Sequence, residues 1–375
     1  MRTDLLRRRM MMLKHDEIII DARKGGVSGN AANDAALMEV IYAQEWSKSP
    51  LYMTQREAEA VTDIGTVFSG NTITDFTALK YFNALNIIPS SAFVSSRINK
   101  IEFPSTIKQI GNSAFDRCGS LKLENLPENL ENIGNCAFRS CNSLSIKTLP
   151  SNLKSIGSEA FSGCTSIRIS EVPNTITTIN SSVFISSGIT EMSLHDGINS
   201  IGTSAFRQCT NLSRVRLPNK ITSLAGYLFI NCSNLEDINL PDSITTIGDN
   251  TFNGCKKLHI SALPINLTRV ANGAFRDCLA ITQLELPNKL QTIVAYAFYG
   301  CSNLSITSIP SSVESIGNNA FYRCNNIKTI RLLGDSKKTG GVSMFNSDTT
   351  IEVPSALLAN YQEDENWNVY TLVGY

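Results

Sequence analysis

The chain has 375 residues, and its 33 Lys and Arg are matched by 33 Asp and Glu. That balance leaves no basic excess to hold a phosphate backbone, which counts against nucleic acid as a partner, and no apolar run approaches the ~20 residues that span a bilayer. Length alone suggests two or three globular domains, an expectation that internal repeats override in favour of one array plus ends.

Residues 1–32 read as a flexible basic tail. Arg7-Arg8-Arg9 precedes Met10-Met11-Met12, but the apolar stretch ends at Leu13, before Lys14, His15, Asp16 and Glu17, so no secretion signal is read. The Arg–Met segment is either a disordered tail or a docking peptide that anchors the protein to a larger assembly or an anionic surface. After Ile18-Ile19-Ile20, ARKGGVSGNAAN reads as a linker. Residues 33–85 read as a helical N-terminal region and cap. Asn33 or Asp34 is expected to cap a helix running to about Trp46, with Ala36, Leu37, Val40, Ile41 and Trp46 near one face. The capping-box pattern Thr54-Gln-Arg-Glu57 predicts a second short helix through Val61, and a third is expected around Phe76 to Phe82.

From residue 86 the chain repeats. Phe93, Phe115, Phe138, Phe161, Phe184, Phe206, Phe229, Phe252, Phe275, Phe298 and Phe321 recur 22 or 23 residues apart, usually with Cys three residues later and Pro twelve residues later. A period of this length means one short unit stacked many times, because no single unit buries its own apolar side chains. The segment before each Pro (LSRVRLP, LEDINLP, ITQLELP) reads as a short strand, and a second apolar pair, as in SITTIG at Ser243 to Gly248, as another on a different face. Gly is expected to permit the turn into the Ala-Phe corner. Neighbouring coils should lie ~4.8 Å apart. Two flavours of unit differ in the apolar positions after Cys: three, six and eight (Leu235, Ile238, Leu240) or three, five and eight (Leu144, Ile146, Leu149). The units at Phe93 and Phe184 lack Cys, run one residue short and share Ser-Ser, which suggests a common alternative corner.

The composite L-x-x-I-x-L-P-x-x-I/L-x-x-I-G-x-x-A-F-x-x-C resembles the BspA-type leucine-rich repeat, over roughly residues 64 to 353. ITDFTALKYF from Ile73 and VPSALLANYQEDENWNVY from Val353 resemble segments that open and close such arrays. The resemblance implies a leucine-rich repeat solenoid of the α/β-type repeat class, mostly short parallel β-strands with turns. It would have about eleven coils of 22–23 residues, an array over 86–335, a C-terminal cap over 336–375 and a small helical N-terminal cap. It also implies an adhesin-like binding protein of the cell surface or extracellular space. The missing secretion signal leaves open a second reading, a structural or receptor-binding component of a phage particle. Relatives often carry a calcium loop ending at the equivalent of Glu57; here its first, third and fifth positions are Trp46, Lys48 and Pro50, so no EF-hand site is expected.

No catalytic constellation emerges, and no enzyme, cofactor or metal is expected. Nine of the ten cysteines occupy one repeat position, where they read as buried reduced thiols. Cys136 is the exception and reads as a tolerated substitution. His15 lies in the tail, His195 and Asp196 are turn neighbours expected to diverge, and His259 should point outward from a strand. The outward strand positions are therefore the candidate binding surface for a protein or glycan, foremost Lys100, Glu102, Arg214, Arg216, Glu236, Asp237, Gln283, Glu285 and Arg331. They are mixed in charge and carry no aromatic ladder for stacking sugars.

Overall fold

A unit that cannot bury its own apolar face must bury it on its copies, and the computed structural model, which describes residues 17–21 and 30–375, shows how. The chain divides into two units, one ending at Ile169 and one running from Ser170 to Tyr375. Both are β-solenoids of short parallel strands. In the first unit Ile87–Ile88, Gln109–Ile110, Asn132–Ile133 and Ser155–Ile156 form one parallel sheet. In the second, Ser223–Leu224, Thr246–Ile247, Arg269–Val270, Thr292–Ile293, Ser315–Ile316 and Thr339–Gly340 form its counterpart. Register places like on like, with Ile110 beside Ile133 and Ile247 beside Val270.

The segment before Pro forms a strand mainly in one flavour. Where apolar residues fall six and eight after Cys, alternation holds and strands such as Arg214–Arg216 and Thr329–Leu332 appear. Where they fall five and eight after, the extra residue breaks the two-residue period. The segments around Leu144 and Leu258 are accordingly not strands, although Ser308–Ile309 still pairs with the coil that follows.

Side-chain columns fill the interior. In the first unit Phe68, Phe93, Phe115, Phe138 and Phe161 stack with centroids 5.0 to 5.7 Å apart. The second has a stack of its own, from Phe184 to Phe345. Beside it run the thiols, which do more than fill space. Each buried Cys Sγ donates to the carbonyl of the Phe in the preceding coil, for example Cys141 to Phe115 at 3.0 Å and Cys301 to Phe275 at 3.0 Å. In the two short units Ser96 and Ser187 stand in the Cys place and meet the next thiols, Cys118 and Cys209, at 3.4 and 3.5 Å. All ten cysteines are free.

The glycine before the corner has a different role from the expected one. Gly111, Gly134 and Gly157 do not have positive φ; a Cβ on Gly157 would lie 2.4 Å from the Asn135 nitrogen and 2.5 Å from the Gly134 carbonyl carbon. Close backbone approach between coils is what excludes a side chain there. The left-handed residues sit two before and two after each Phe, as at Ser113 and Arg117 around Phe115. Rung-to-rung bonds hold them, with the Ser113, Phe115 and Arg117 N–H groups donating to Asn135, Ala137 and Arg139 carbonyls at 2.8, 2.8 and 2.7 Å. Cys136 occupies such a left-handed position, half-buried and outside the thiol column. Gly157→Ala is expected to cost about 1–3 kcal/mol, since backbone rather than a flexible side chain must move. Gly119→Ala, whose Cβ would meet only the Ser140 oxygen at 3.8 Å, should shift stability by no more than ~0.5 kcal/mol. Urea unfolding of the two variants compares them directly.

The N-terminal region is ordered earlier than read. Strand β1 (Ile18–Asp21), placed in the flexible tail by sequence, pairs antiparallel with β2 (Tyr52–Thr54). Helix α1 (Ala31–Ala43) begins before Asn33, capped by Asn30, whose Oδ1 accepts from the Ala32 and Asn33 N–H groups at 3.1 and 3.3 Å. Its buried stripe is Asp34, Leu37, Met38 and Ile41, with Ala36 and Val40 only half-buried. Trp46 lies beyond the helix, against Phe68 and Phe82. Helix α2 (Gln55–Glu59) has the full capping box but stops short of Val61, and Thr77–Tyr81 forms a 3-10 turn. Burial pushes the Glu57 carboxyl up, but the Thr54 and Lys48 N–H groups outweigh it and hold the group below its ordinary range. Arg7 to Met12, His15 and most of the linker lie outside the described residues.

Stacking also continues past residue 335. Thr329–Leu332, Thr350–Val353 and Thr371–Gly374 pair in parallel, and the last coil is closed by Tyr361 and Trp367 in edge contact at 5.1 Å. Lys338 is buried there, donating to the Pro310, Ser311 and Val313 carbonyls at 3.0, 3.4 and 2.7 Å. No helix among the described residues is long and apolar enough to cross a membrane.

Candidate binding surface

Strand alternation alone decides which side chains can meet a partner. Val215 and Ile330 point into the stack while the residues flanking them point out, and all nine sequence-predicted surface residues are exposed. Lys100 and Glu102 lie in the first unit, the other seven in the second. Arg214, Arg216, Glu236 and Asp237 fall on adjacent coils, as do Gln283 and Glu285 with their bridge partners Ser305 and Ala262. Arg331 sits on the second of the four strands of its sheet, between Ser308 and Glu352.

The charges are largely paired between coils. Lys80 meets Glu102 at 2.8 Å, Arg214 meets Asp237 at 3.3 Å, and Arg331 meets Glu352 at 2.7 Å. Lys100 lies 4.0 Å from Asp75, and Arg216 lies 3.8 Å from Asp196. Arg331 also covers the Tyr375 ring at 4.6 Å. Exposed pairs of this kind contribute roughly 0–1 kcal/mol each, so the surface is held chiefly by the sheet beneath it.

The groups that resemble chemistry are spoken for. His195 Nδ1 accepts from the Gly197 N–H at 3.1 Å, which leaves Nε2 to donate to the Pro173 carbonyl at 3.1 Å. Asp196 turns to the next coil and accepts from Asn219, so the two neighbours diverge as read. His259 is exposed, though its segment is not a strand. Burial raises the thiols, Cys118 to about 11 and Cys164 to about 12, so none in the column is a thiolate at neutral pH. No group of three metal-ligating side chains occurs among the described residues.

The profile of the BspA type leucine rich repeat region, in six copies, matches residues 86–212, 142–259, 178–280 and 268–357. The chain belongs to the BspA-type leucine-rich repeat family. Among solved structures, a leucine-rich cell surface protein from Faecalibacterium prausnitzii is 23% identical over 77% of this chain and 86% of its own, with a TM-score of 0.51. A leucine-rich repeat protein from Bacteroides ovatus is 23% identical over 78% of this chain and 88% of its own, with a TM-score of 0.49. The pneumococcal vaccine antigen PcpA is 17% identical over 87% and 86%, with a TM-score of 0.46. No curated protein matches the chain.

This BspA-type array has one surface feature that the strand-centred reading missed. An aromatic column does exist, on the Phe corner rather than the strands: Tyr299 and Tyr322 each follow a core Phe, with ring centroids 6.0 Å apart. The signal was present in AFYG and AFYRC, where Tyr replaces the usual polar residue after Phe.

Proposed function

We propose that the protein is a non-enzymatic binding protein of the bacterial cell surface that engages a protein or glycan through its exposed solenoid surface. One observation carries the reading. Polar, mixed-charge rows such as Arg214, Arg216, Glu236 and Asp237 lie exposed over a closed interior whose column thiols are committed to backbone carbonyls. Repeat surfaces of this kind present a broad face to a large partner. The family and the surface location named for the Faecalibacterium protein support the placement.

The test is full-length protein on a glycan array and against a panel of purified secreted proteins, with binding measured before and after replacing Arg214, Arg216, Glu236 and Asp237 by Ser. At least a tenfold loss of affinity for a retained ligand is expected, with thermal unfolding unchanged. Turnover of any glycan by the protein, or retention of nothing on either panel, would overturn the reading.

A further inference from the structure

The corner of the second unit carries an arrangement distinct from the strand rows. Three consecutive coils contribute Arg276, then Tyr296 and Tyr299, then Tyr322 and Arg323. The Arg276 guanidinium lies 4.8 Å from the Tyr299 ring and 5.9 Å from the Tyr296 ring, and the Arg323 guanidinium lies 5.4 Å from the Tyr299 ring. Stacking on rings limits the motion of both guanidiniums while leaving their N–H edges free to bond, so less entropy is lost on binding. Arg276 has Asp277 at 3.5 Å; Arg323 has no carboxylate within ion-pair distance among the described residues. Beside Tyr322 opens a cavity of about 300 Å³, lined in part by Val342, Phe345, Val369 and Tyr370 and rimmed by Glu365. Val342 and Val369, which line it, are 59% and 60% exposed and so open to a partner.

We infer that this corner docks an acidic protein segment, with carboxylates on Arg276 and Arg323 and a neighbouring apolar side chain in the cavity beside Tyr322. Tyr and Arg together, next to an apolar pocket, are the composition of interface hot spots. A sugar is the poorer fit, because the Tyr299 ring is already contacted by two guanidiniums and two other tyrosines, so it offers no open face for stacking. The inference rests on the binding role proposed above but places one partner on a different surface.

A displayed library of twelve-residue peptides selected on the full chain is the probe. Selected peptides should carry Asp or Glu beside Leu or Phe, and their affinity should fall at least tenfold in both R323E and Y299A. The double reversal R276E/R323E, selected anew, should enrich Lys or Arg peptides instead, a readout that loss of folding cannot imitate. Serine replacements at Arg214 and Arg216 should leave peptide affinity within twofold. Peptides enriched without acidic residues, or bound equally by the double reversal, would overturn the inference, as would retention at this corner of a sulfated or sialylated glycan in place of peptide. Ligand loss on strand-row substitution alone would sink this inference and leave the broader binding role standing.

Discussion

Raising the pH from 9 towards 11 is expected to unfold the protein, and the second unit before the first. The cause is the thiol column. Burial is the largest influence on each of its nine members: Cys118 and Cys209 rise to about 11, Cys164 and Cys301 to about 12, and Cys141, Cys232, Cys255, Cys278 and Cys324 also rise. An unfolded thiol titrates near 9. Between 9 and 11–12 the unfolded chain therefore releases protons that the folded chain keeps, and stability falls as pH rises. Below 9 both states hold these protons and the thiols contribute no slope.

The magnitude follows from about 1.4 kcal/mol per pH unit for each group whose protonation differs. Nine such thiols give a slope on the order of 12 kcal/mol per pH unit, comparable to a whole domain's stability of roughly 5–15 kcal/mol. Burial also raises Tyr361 and Tyr370, which act in the same direction. Lys338 acts in the opposite direction. Burial lowers its amine from 10.5 to about 8, so the folded chain releases that proton first and gains stability between those values. One amine cannot offset nine thiols.

Urea midpoints followed by circular dichroism at pH 8, 9, 10 and 10.5 should drop steeply above 9. Three column thiols lie in the first unit and six in the second, which sets the order of loss. Cys255→Ser keeps a donor towards the Phe229 carbonyl but removes one titrating group, so it should flatten the slope by about 1.4 kcal/mol per pH unit. A midpoint unchanged through pH 10.5 would refute the account. Ellman's reagent at neutral pH offers a companion check: half-buried Cys136 should react in the native protein and the other nine only in urea.

Some of this was legible in the sequence because the fold is translationally periodic. Phe138 and Phe161 must stack once they occupy the same position in adjacent parallel coils, and the same holds for Cys141 and Cys164. The parts that sequence concealed depend on contacts outside the period. Asn33 looked like a helix cap, but its Oδ1 accepts from the Thr74 and Asp75 N–H groups at 2.8 and 3.1 Å, fastening the helix to a coil 41 residues on and leaving Asn30 to cap. The last Phe of the column, Phe345, was hidden because it follows Phe321 by 24 residues and has Met344 in place of Ala. The strand rows were predicted from alternation alone. The tyrosine corner was overlooked because the two left-handed residues flanking each Phe turn the following position outward, and periodicity does not reveal that backbone geometry.

The second large effect is expected at Phe252, in the middle of the longer aromatic column. Its ring lies 5.5 Å from that of Phe229 and 5.3 Å from that of Phe275, tilted by 11° and 14°. Truncation to Ala removes a fully buried ring and leaves a cavity between two others, a change that costs about 3–5 kcal/mol. Because each coil touches chiefly its neighbours, the loss should be felt first by the coils of Phe229 and Phe275 rather than spread evenly. Hydrogen exchange should accordingly show lost protection at the Phe229 and Asn231 amides, which bond to Thr251 and Asn253, while the first unit stays protected. Phe252→Leu refills much of the volume and should recover more than half of the loss. If Phe252→Ala lowers stability by less than ~1 kcal/mol, the ring column is filler rather than the axis of the stack. If protection falls equally in both units, the coils are coupled far beyond nearest neighbours, and the pH-driven order of unfolding argued above fails with it.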